Sequence, residues 1–284
     1  MDSNLYISTL AFLGKDVKEI LKICEENSYN LEFSSGMPYD ERMSEIYRNT
    51  SIQRQPHNYF PDPKIPFVLN LASENDIIRN KSINHCKKGL ELAKHSNSGF
   101  FAAHAGFCLD PSPNELGHKI EIKGKYHKDK HKALFINSVL DILETAESLD
   151  IDFLIENNVI APFNYDGVNN PLLCCDYGDI VWLFSKIKHE KLGLLLDTAH
   201  LKVSCKTLEL NLSDEFKKIS PFIKAFHHSD NDGNSDSNLK LTSDYWFWDY
   251  IKDYQNYIHV LEVKALNISE IENQIQLIKK HGNI

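Results

Sequence analysis

The 284-residue sequence lacks the features of a membrane or exported protein. No apolar run approaches the roughly 20 residues that a bilayer-spanning helix needs. The first residues, MDSNLYISTLAFLGKD, carry neither the basic region nor the cleavage site of a signal peptide. We therefore expect a soluble, cytoplasmic protein that does not bind membranes.

Cysteine is scarce and positive charge is in deficit. The six cysteines show no C-x-x-C spacing, which is typical of free thiols in a reducing compartment. The formal net charge of -9 argues against binding to nucleic acid, because phosphate contacts need a basic surface. The one lysine-rich stretch, KIEIKGKYHKDKHK at 119–132, is interpreted as a solvated loop and the start of a helix.

Short apolar runs alternate with longer amphipathic stretches along the whole chain. This rhythm predicts repeated βα units around a parallel sheet, and so an α/β fold. Eight strands are predicted, at residues 4–12, 30–34, 51–55, 100–104, 152–157, 192–197, 222–227 and 257–263. Helices are predicted among others at 16–26, 74–95, 130–149 and 179–188. We expect one domain over 1–284, a (β/α)8 TIM barrel.

Two features of this pattern are less regular. The third strand, SIQRQ, is short and polar, so an open doubly wound sheet is the alternative to a closed barrel. The stretch 107–127 is too long for an ordinary βα loop and is predicted to be a lid or specificity loop, with 229–242 as a second one.

In such a barrel the active site lies at the carboxyl ends of the strands. The predicted strands five to eight end in Glu156, Asp197, His227 and Glu262. A single one of these, such as Asp197, is explained equally well as a helix cap. Together, however, buried carboxylates repel one another, and a divalent cation is the usual means of cancelling that repulsion. The pattern therefore predicts a metal site.

The order of short motifs along the chain resembles a known family. The motifs are HNYF at His57, HAGF at His104, LIEN at Glu156, LLLDTAH at Asp197 and His200, FHHSDNDG at His227, and LEVK at Glu262. Their order and spacing resemble the xylose isomerase-like TIM-barrel superfamily, which contains sugar phosphate isomerases and epimerases and the type IV AP endonucleases. The resemblance runs from Glu32 in LEFSSG to Glu262.

Carried over position by position, the resemblance implies a set of site residues. The metal ligands fall on Glu156, Asp197, His227 and Glu262. His227 is preferred over His228 because the family's ligand histidine precedes an acidic residue by three positions, here Asp230. The substrate-binding positions are Glu32, His57, His104, His200, Asp230 and Lys264. Lys264 joins them only if the last strand continues past Glu262, and a solvated lysine is its alternative.

The resemblance also implies a reaction. We expect a metal-dependent isomerase or epimerase acting on a sugar, a sugar phosphate or a related polyhydroxy carbonyl compound. Glu156 and Glu262 would move the proton through an enediolate. Three carboxylates and one imidazole favour a single Mn²⁺, Mg²⁺ or Co²⁺ ion, and Zn²⁺ is also compatible with them. The expected partner is a small carbohydrate, and the analogy with relatives suggests a homo-oligomer.

Other functions fit the same motifs. An endonuclease IV-like phosphodiesterase at abasic DNA would use the extra histidines, although the acidic balance argues against it. A dehydratase or lyase would share the same base and metal, and only product analysis separates it from an isomerase. A carbohydrate-binding relative without catalysis would not need all four ligands. The aromatic cluster at 245–248 is interpreted as core packing rather than as a platform for a sugar.

Overall fold

Eight short parallel strands alternate with helices in the computed structural model, which describes residues 4–34, 36–122 and 124–284. The strands are β1 (Leu5–Ser8), β2 (Asn30–Phe33), β3 (Arg54–Pro56), β4 (Phe100–His104), β5 (Asp152–Glu156), β6 (Leu192–Asp197), β7 (Ile223–His228) and β8 (Ile258–Leu261). All eight predicted strands are present, with shifts at their ends.

Within the described ranges, the α-helices are α1 (Val17–Asn27), α2 (Met43–Asn49), α3 (Asp76–Ser96), α4 (Lys128–Leu149), α5 (Tyr177–Lys186), α6 (Thr198–Thr207), α7 (Leu212–Ile219), α8 (Trp248–Ile251) and α9 (Ile268–Gly282). Local side chains fix their starts. Asp16, for example, accepts hydrogen bonds from the N–H groups of Lys18 and Glu19 and so begins α1. In the part of the chain that the structure describes, no helix combines the length and apolar character needed to cross a membrane.

The strands form one nearly closed barrel, in the order β3-β2-β1-β8-β7-β6-β5-β4. The two ends of this order meet through a parallel bridge between His57 and Ala102, where the N–H of Asn58 donates to the carbonyl of Ala102 over 2.8 Å. The predicted TIM barrel is confirmed, and the open doubly wound alternative is wrong. Closure is weakest at β3, the strand predicted to be irregular, because its last residue, Pro56, has no N–H to donate.

The two largest shifts from the predicted strand boundaries are in the first and third strands. The first strand was expected to reach Phe12, but it ends at Ser8 and residues Thr9–Phe12 form a 3₁₀ turn. The Ser8 hydroxyl accepts from the N–H of Leu10 over 3.3 Å, which competes with continued strand pairing. Ala11 and Phe12 are still buried in the turn. The apolar residues at the end of the predicted strand are therefore explained by burial and not by strand structure. The third strand begins at Arg54 rather than at residue 51.

Side-chain alternation divides the strands into an outer and an inner face. Phe101, Phe153 and Phe226 point outward into the main core beneath the helices. The residues of opposite parity form a separate buried cluster inside the barrel, made of Phe100, Ala102, Leu154, Leu195 and Ala225. Because the strand period is two, the residues that follow this inner cluster at the carboxyl ends also face inward. The candidate site therefore stands on an apolar floor.

The remaining structural expectations concern the aromatic and basic stretches. Tyr245, Phe247 and Trp248 are at most 8% exposed, which confirms their role in core packing. The described part of the lysine-rich stretch, 119–122 and 124–132, forms a loop followed by the start of α4, as predicted. Two of its lysines, Lys128 and Lys132, hold the carboxylate of Asp179 at 2.9 and 2.7 Å. The cysteines are buried free thiols.

Gly89 allows α3 to pack closely on β4. A Cβ atom at this position would lie 2.3 Å from Cε2 of Phe101, whose ring is fully buried. We expect Gly89→Ala to lower the free energy of unfolding, because an overpacking cost of about 1–3 kcal/mol exceeds the gain in helix propensity. Urea denaturation measures the change. Lys88→Ala, on the exposed face of the same helix, is the control and should change stability by less than about 0.5 kcal/mol. A Gly89→Ala protein as stable as wild type would contradict this packing.

Candidate metal centre

Four predicted ligands converge at the carboxyl ends of neighbouring strands. Glu156 ends β5, Asp197 ends β6, His227 lies opposite Asp197 in β7, and Glu262 follows β8 directly. One ligand atom from each side chain lies within 4.8 Å of the others. Glu156, Asp197 and His227 are at most 1% exposed, and the Glu262 side chain is 12% exposed. The structure thus brings these residues together at the inner end of the barrel mouth.

Asp197 combines two tasks on its two oxygens. Its Oδ1 accepts the backbone N–H of His200 over 2.8 Å and so caps α6. Its Oδ2 accepts no hydrogen bond from any residue that the structure describes. Burial raises the pKa of Asp197 to about 7, opposed in part by the charge of His200. The helix-cap interpretation is therefore correct, and it leaves one buried oxygen available to a cation.

Asn157 fixes the position of Asp197. Its side-chain amide donates to the carbonyl of Asp197 over 3.0 Å, and its Oδ1 accepts the Asp197 N–H over 2.8 Å. Its backbone carbonyl accepts from Nδ1 of His200 over 2.8 Å. One asparagine thus ties the end of β5 to the end of β6 and orients His200. The motif LIEN contained this residue, but the sequence did not reveal its role.

His227 and His228 face opposite sides of β7. Nδ1 of His227 lies 3.0 Å from Oε2 of Glu262, and its Nε2 lies 3.1 Å from Glu32. His228 lies among the outer aromatic rings, where Tyr245 donates to its Nδ1 over 2.9 Å and its own Nε2–H donates to His259 over 2.8 Å. Burial lowers the pKa of His228 well below its usual value. His227 is therefore the histidine that faces the carboxylates.

Three further histidines surround Glu156. Nε2 of His57 lies 3.2 Å and Nε2 of His104 lies 3.5 Å from its Oε2, and Nδ1 of His200 lies 3.7 Å from its Oε1. Burial would raise the pKa of Glu156, but the charges of His104, His57 and His227 lower it well below its usual value. Two more sets of ligand atoms converge in the described residues: Glu32, His57, His227 and Glu262, and His104, Glu156 and His200.

Two residues that the sequence did not single out complete this cluster. Oδ2 of Asp236 lies 3.2 Å from Nε2 of His200. Gln55 donates over 2.7 Å to the fully buried carboxylate of Glu32. Asp236 stands in the irregular stretch 229–242, which contains three aspartates and no spacing that distinguishes one from another. Gln55 lies in β3, whose polar character was the only available signal.

Two predicted substrate-binding residues lie outside the cluster. The carboxylate of Asp230 accepts from Nζ of Lys202 over 2.6 Å. Lys264 was expected to face the site if its strand continued, but β8 ends at Leu261 and the lysine is exposed. Its N–H donates to the carbonyl of Asn238 over 3.0 Å. Neither residue belongs to a converging ligand set within the described ranges.

A pocket of ≈ 170 Å³ opens beside the cluster. His104, His200 and Asp236 form its inner end. Its walls are mostly apolar and come from two loops: Phe107, Leu116, Gly117, Ile120, Val159, Ala161, Phe163 and Leu172. The predicted specificity loop 107–127 therefore contributes one wall of this pocket.

Solved structures with the same fold cover nearly the whole chain. A D-tagatose 3-epimerase-like protein matches with a TM-score of 0.71 and 17% identity, over 98% of this chain and 96% of its own. A D-psicose 3-epimerase from Clostridium cellulolyticum H10 matches with a TM-score of 0.65 and 13% identity, over 99% and 98%. A probable 3-DHS dehydratase from Bacillus anthracis matches with a TM-score of 0.59 and 13% identity, over 99% and 100%. At these identities the likeness shows the fold alone.

Comparison with curated protein sequences gives no match. The sequence profile of the xylose isomerase-like TIM barrel, in contrast, matches residues 13–267. The matched range contains strands β2 to β8 and every residue of the converging cluster. The chain belongs to the xylose isomerase-like TIM-barrel family.

Proposed function

We propose that the protein is a metal-dependent isomerase or epimerase acting on a sugar or a related polyhydroxy carbonyl compound, free or phosphorylated. The observation that carries this proposal is the placement of two carboxylates around one imidazole. Oε1 of Glu156 and Oε2 of Glu262 approach Nδ1 of His227 to 3.8 and 3.0 Å from strands β5 and β8. Two strands separate them in the barrel, so they flank the space at its mouth.

The donor atoms fit a divalent cation. Glu156, Asp197, His227 and Glu262 would hold it, and Oδ2 of Asp197 is a buried acceptor without a donor among the described residues. Three carboxylates and one imidazole form a hard set that suits Mn²⁺, Mg²⁺ or Co²⁺, and Zn²⁺ is also compatible. When bound, such an ion polarises a carbonyl oxygen as a Lewis acid. The ion would also offset the mutual repulsion of these buried carboxylates.

The two glutamates are suited to proton transfer. Burial would raise the pKa of each, but the surrounding histidines together outweigh it, with His104 and His57 foremost for Glu156 and His227 foremost for Glu262, so both pKa values are lowered. Both carboxylates are therefore ionised at neutral pH, the state that a general base requires. One carboxylate would remove the proton beside the carbonyl to give an enediolate and would itself become protonated. The other, after taking up a proton from water, would return that proton to the product.

Substitution of either glutamate by glutamine should stop proton exchange. Glu156→Gln and Glu262→Gln keep the shape of the side chain but remove the basic oxygen, so we expect exchange of substrate protons with deuterated water to fall about 100-fold or more. Proton NMR of ketoses, aldoses and their phosphates, with added Mn²⁺ or Mg²⁺, measures the exchange. Asp230→Asn, outside the cluster, is the control and should retain it. Undiminished exchange in both glutamine variants would refute these roles.

The neighbouring histidines of β7 test the ligand assignment. We expect His227→Gln to lose bound metal, because it removes a ligand that faces the carboxylates. His228→Gln should keep its metal but lose about 1–3 kcal/mol of stability, because it leaves buried partners at Tyr245 and His259 unpaired. Elemental analysis of the folded proteins, together with thermal unfolding, separates the two effects. Loss of metal in His228→Gln alone would reverse the assignment.

A phosphodiesterase acting at abasic DNA is a second candidate. The observation in its favour is that His57, His104 and His200 gather around Glu156, beyond the four ligands that one ion needs. The net charge of -9 weighs against a DNA-facing role. We expect no nicking of a duplex containing an abasic site, in Mn²⁺ or Zn²⁺. Metal-dependent nicking that His104→Gln abolishes would establish this candidate instead.

A further inference from the structure

The pocket beside the cluster changes character along its length. Its inner end is polar, formed by His104, His200 and Asp236. Farther out, Leu116 and Ile120 from one loop face Phe163 from another. Phe107, Ile120 and Leu172 also belong to a buried apolar cluster with Ile160 and Cys175, which supports the wall from behind. The apolar part is therefore a built wall rather than a chance exposure of single side chains.

The polar side chains among the apolar walls are already committed to the protein. Asn158 donates to the carbonyls of Gly106 and Leu173 over 3.1 and 2.9 Å. Asn164 accepts the N–H of Ile120 over 2.8 Å and donates to the carbonyl of His118 over 3.0 Å. These amides hold the two loops together. These bonds engage Nδ2 of Asn158, and both Oδ1 and Nδ2 of Asn164, within the protein.

Positive charge is also missing from this wall. Among the described residues that line the pocket, none is lysine or arginine. Phosphate recognition relies on arginine, lysine or clustered backbone N–H groups. Asp236 adds an acidic group at the inner end. Among the described lining residues, a phosphate or carboxylate on the outer part of a ligand would find no lysine or arginine.

We propose that the substrate is a polyhydroxy carbonyl compound carrying an apolar, preferably aromatic, substituent, which packs between Leu116, Ile120 and Phe163. The polar end of the ligand reaches the carboxylates past His104 and His200, a step that rests on the proposed function. Phe163 and Leu116 are 40% and 36% exposed, so an inserted ring removes apolar surface of both partners from water.

Two pairs of compounds test the preference by binding alone. Titration calorimetry of the metal-supplemented protein compares phenyl β-D-glucoside with methyl β-D-glucoside, and glucose 6-phosphate with glucose. We expect the phenyl compound to bind about tenfold more tightly than the methyl compound, since burial of a ring is favourable. The phosphate should give no gain over glucose. Equal affinity of the phenyl and methyl compounds, or tighter binding of the phosphate, would overturn the proposal.

Substitutions in the wall locate the effect. Phe163→Ala and Leu116→Lys should each remove most of the phenyl preference, while Val168→Ala should leave it unchanged. Val168 is 82% exposed and does not line the pocket, so it controls for changes in the same loop region. A phenyl preference that survives both pocket substitutions would show that the ring binds elsewhere and would contradict the proposal.

Glu262→Gln separates this inference from the proposed reaction. The variant should lose proton exchange but keep the phenyl preference, because Glu262 does not line the apolar wall. If wild type exchanges no substrate proton yet prefers the phenyl compound, the reaction fails and the apolar subsite stands. If wild type exchanges protons of simple sugars without any phenyl preference, the subsite fails and the reaction stands.

Discussion

The structure of the site depends on the confinement of four carboxylates, three of them buried and that of Glu262 12% exposed, to one end of the barrel. Glu32, Glu156, Asp197 and Glu262 lie close enough to share histidines, and burial removes the water that would otherwise screen them. Each carboxylate is accordingly met by an imidazole: His227 lies 3.0 to 3.8 Å from three of the four, and His200 faces Asp197. The alternative source of compensation is a divalent cation, and so the arrangement of charge leads directly to the proposed metal.

The apolar residues inside the barrel restrict how these carboxylates can be stabilised. Ala102, Leu154, Leu195 and Ala225 lie two residues before His104, Glu156, Asp197 and His227 on the same inner face. Small and branched side chains fill the barrel below and offer no hydrogen bonds, so the polar layer can be satisfied only sideways or from the mouth. Asn157 provides one such sideways link, and Gln55 provides another. A ligand or an ion at the mouth would complete the set.

Sequence predicted those parts of the site that local pattern determines. A strand that ends in a carboxylate, as LGLLLD ends in Asp197, shows both its burial and its chemistry, and the period of two places its last residue inside the barrel. The same reasoning could not identify Asp236, because a loop has no period and its path depends on contacts such as that between Lys202 and Asp230. It also left the position of Lys264 open, because the end of β8 at Leu261 depends on pairing with β1 and β7 rather than on the residues LEVK.

The position of Asp197 couples folding to the proposed chemistry. Its Oδ1 caps α6, while its backbone is held by Asn157, so the orientation of Oδ2 is set by bonds that also stabilise the barrel. A cation that binds Oδ2 and the neighbouring carboxylates would bind the folded arrangement in preference to the unfolded chain, and its binding free energy would add to stability. The buried carboxylates that lower the stability of the metal-free protein would thus raise the stability of the protein with a bound cation. Because these carboxylates lie at one end of the barrel, the loss of stability is confined to the region where the cation would bind. The loops around the mouth can then form a separate, apolar subsite.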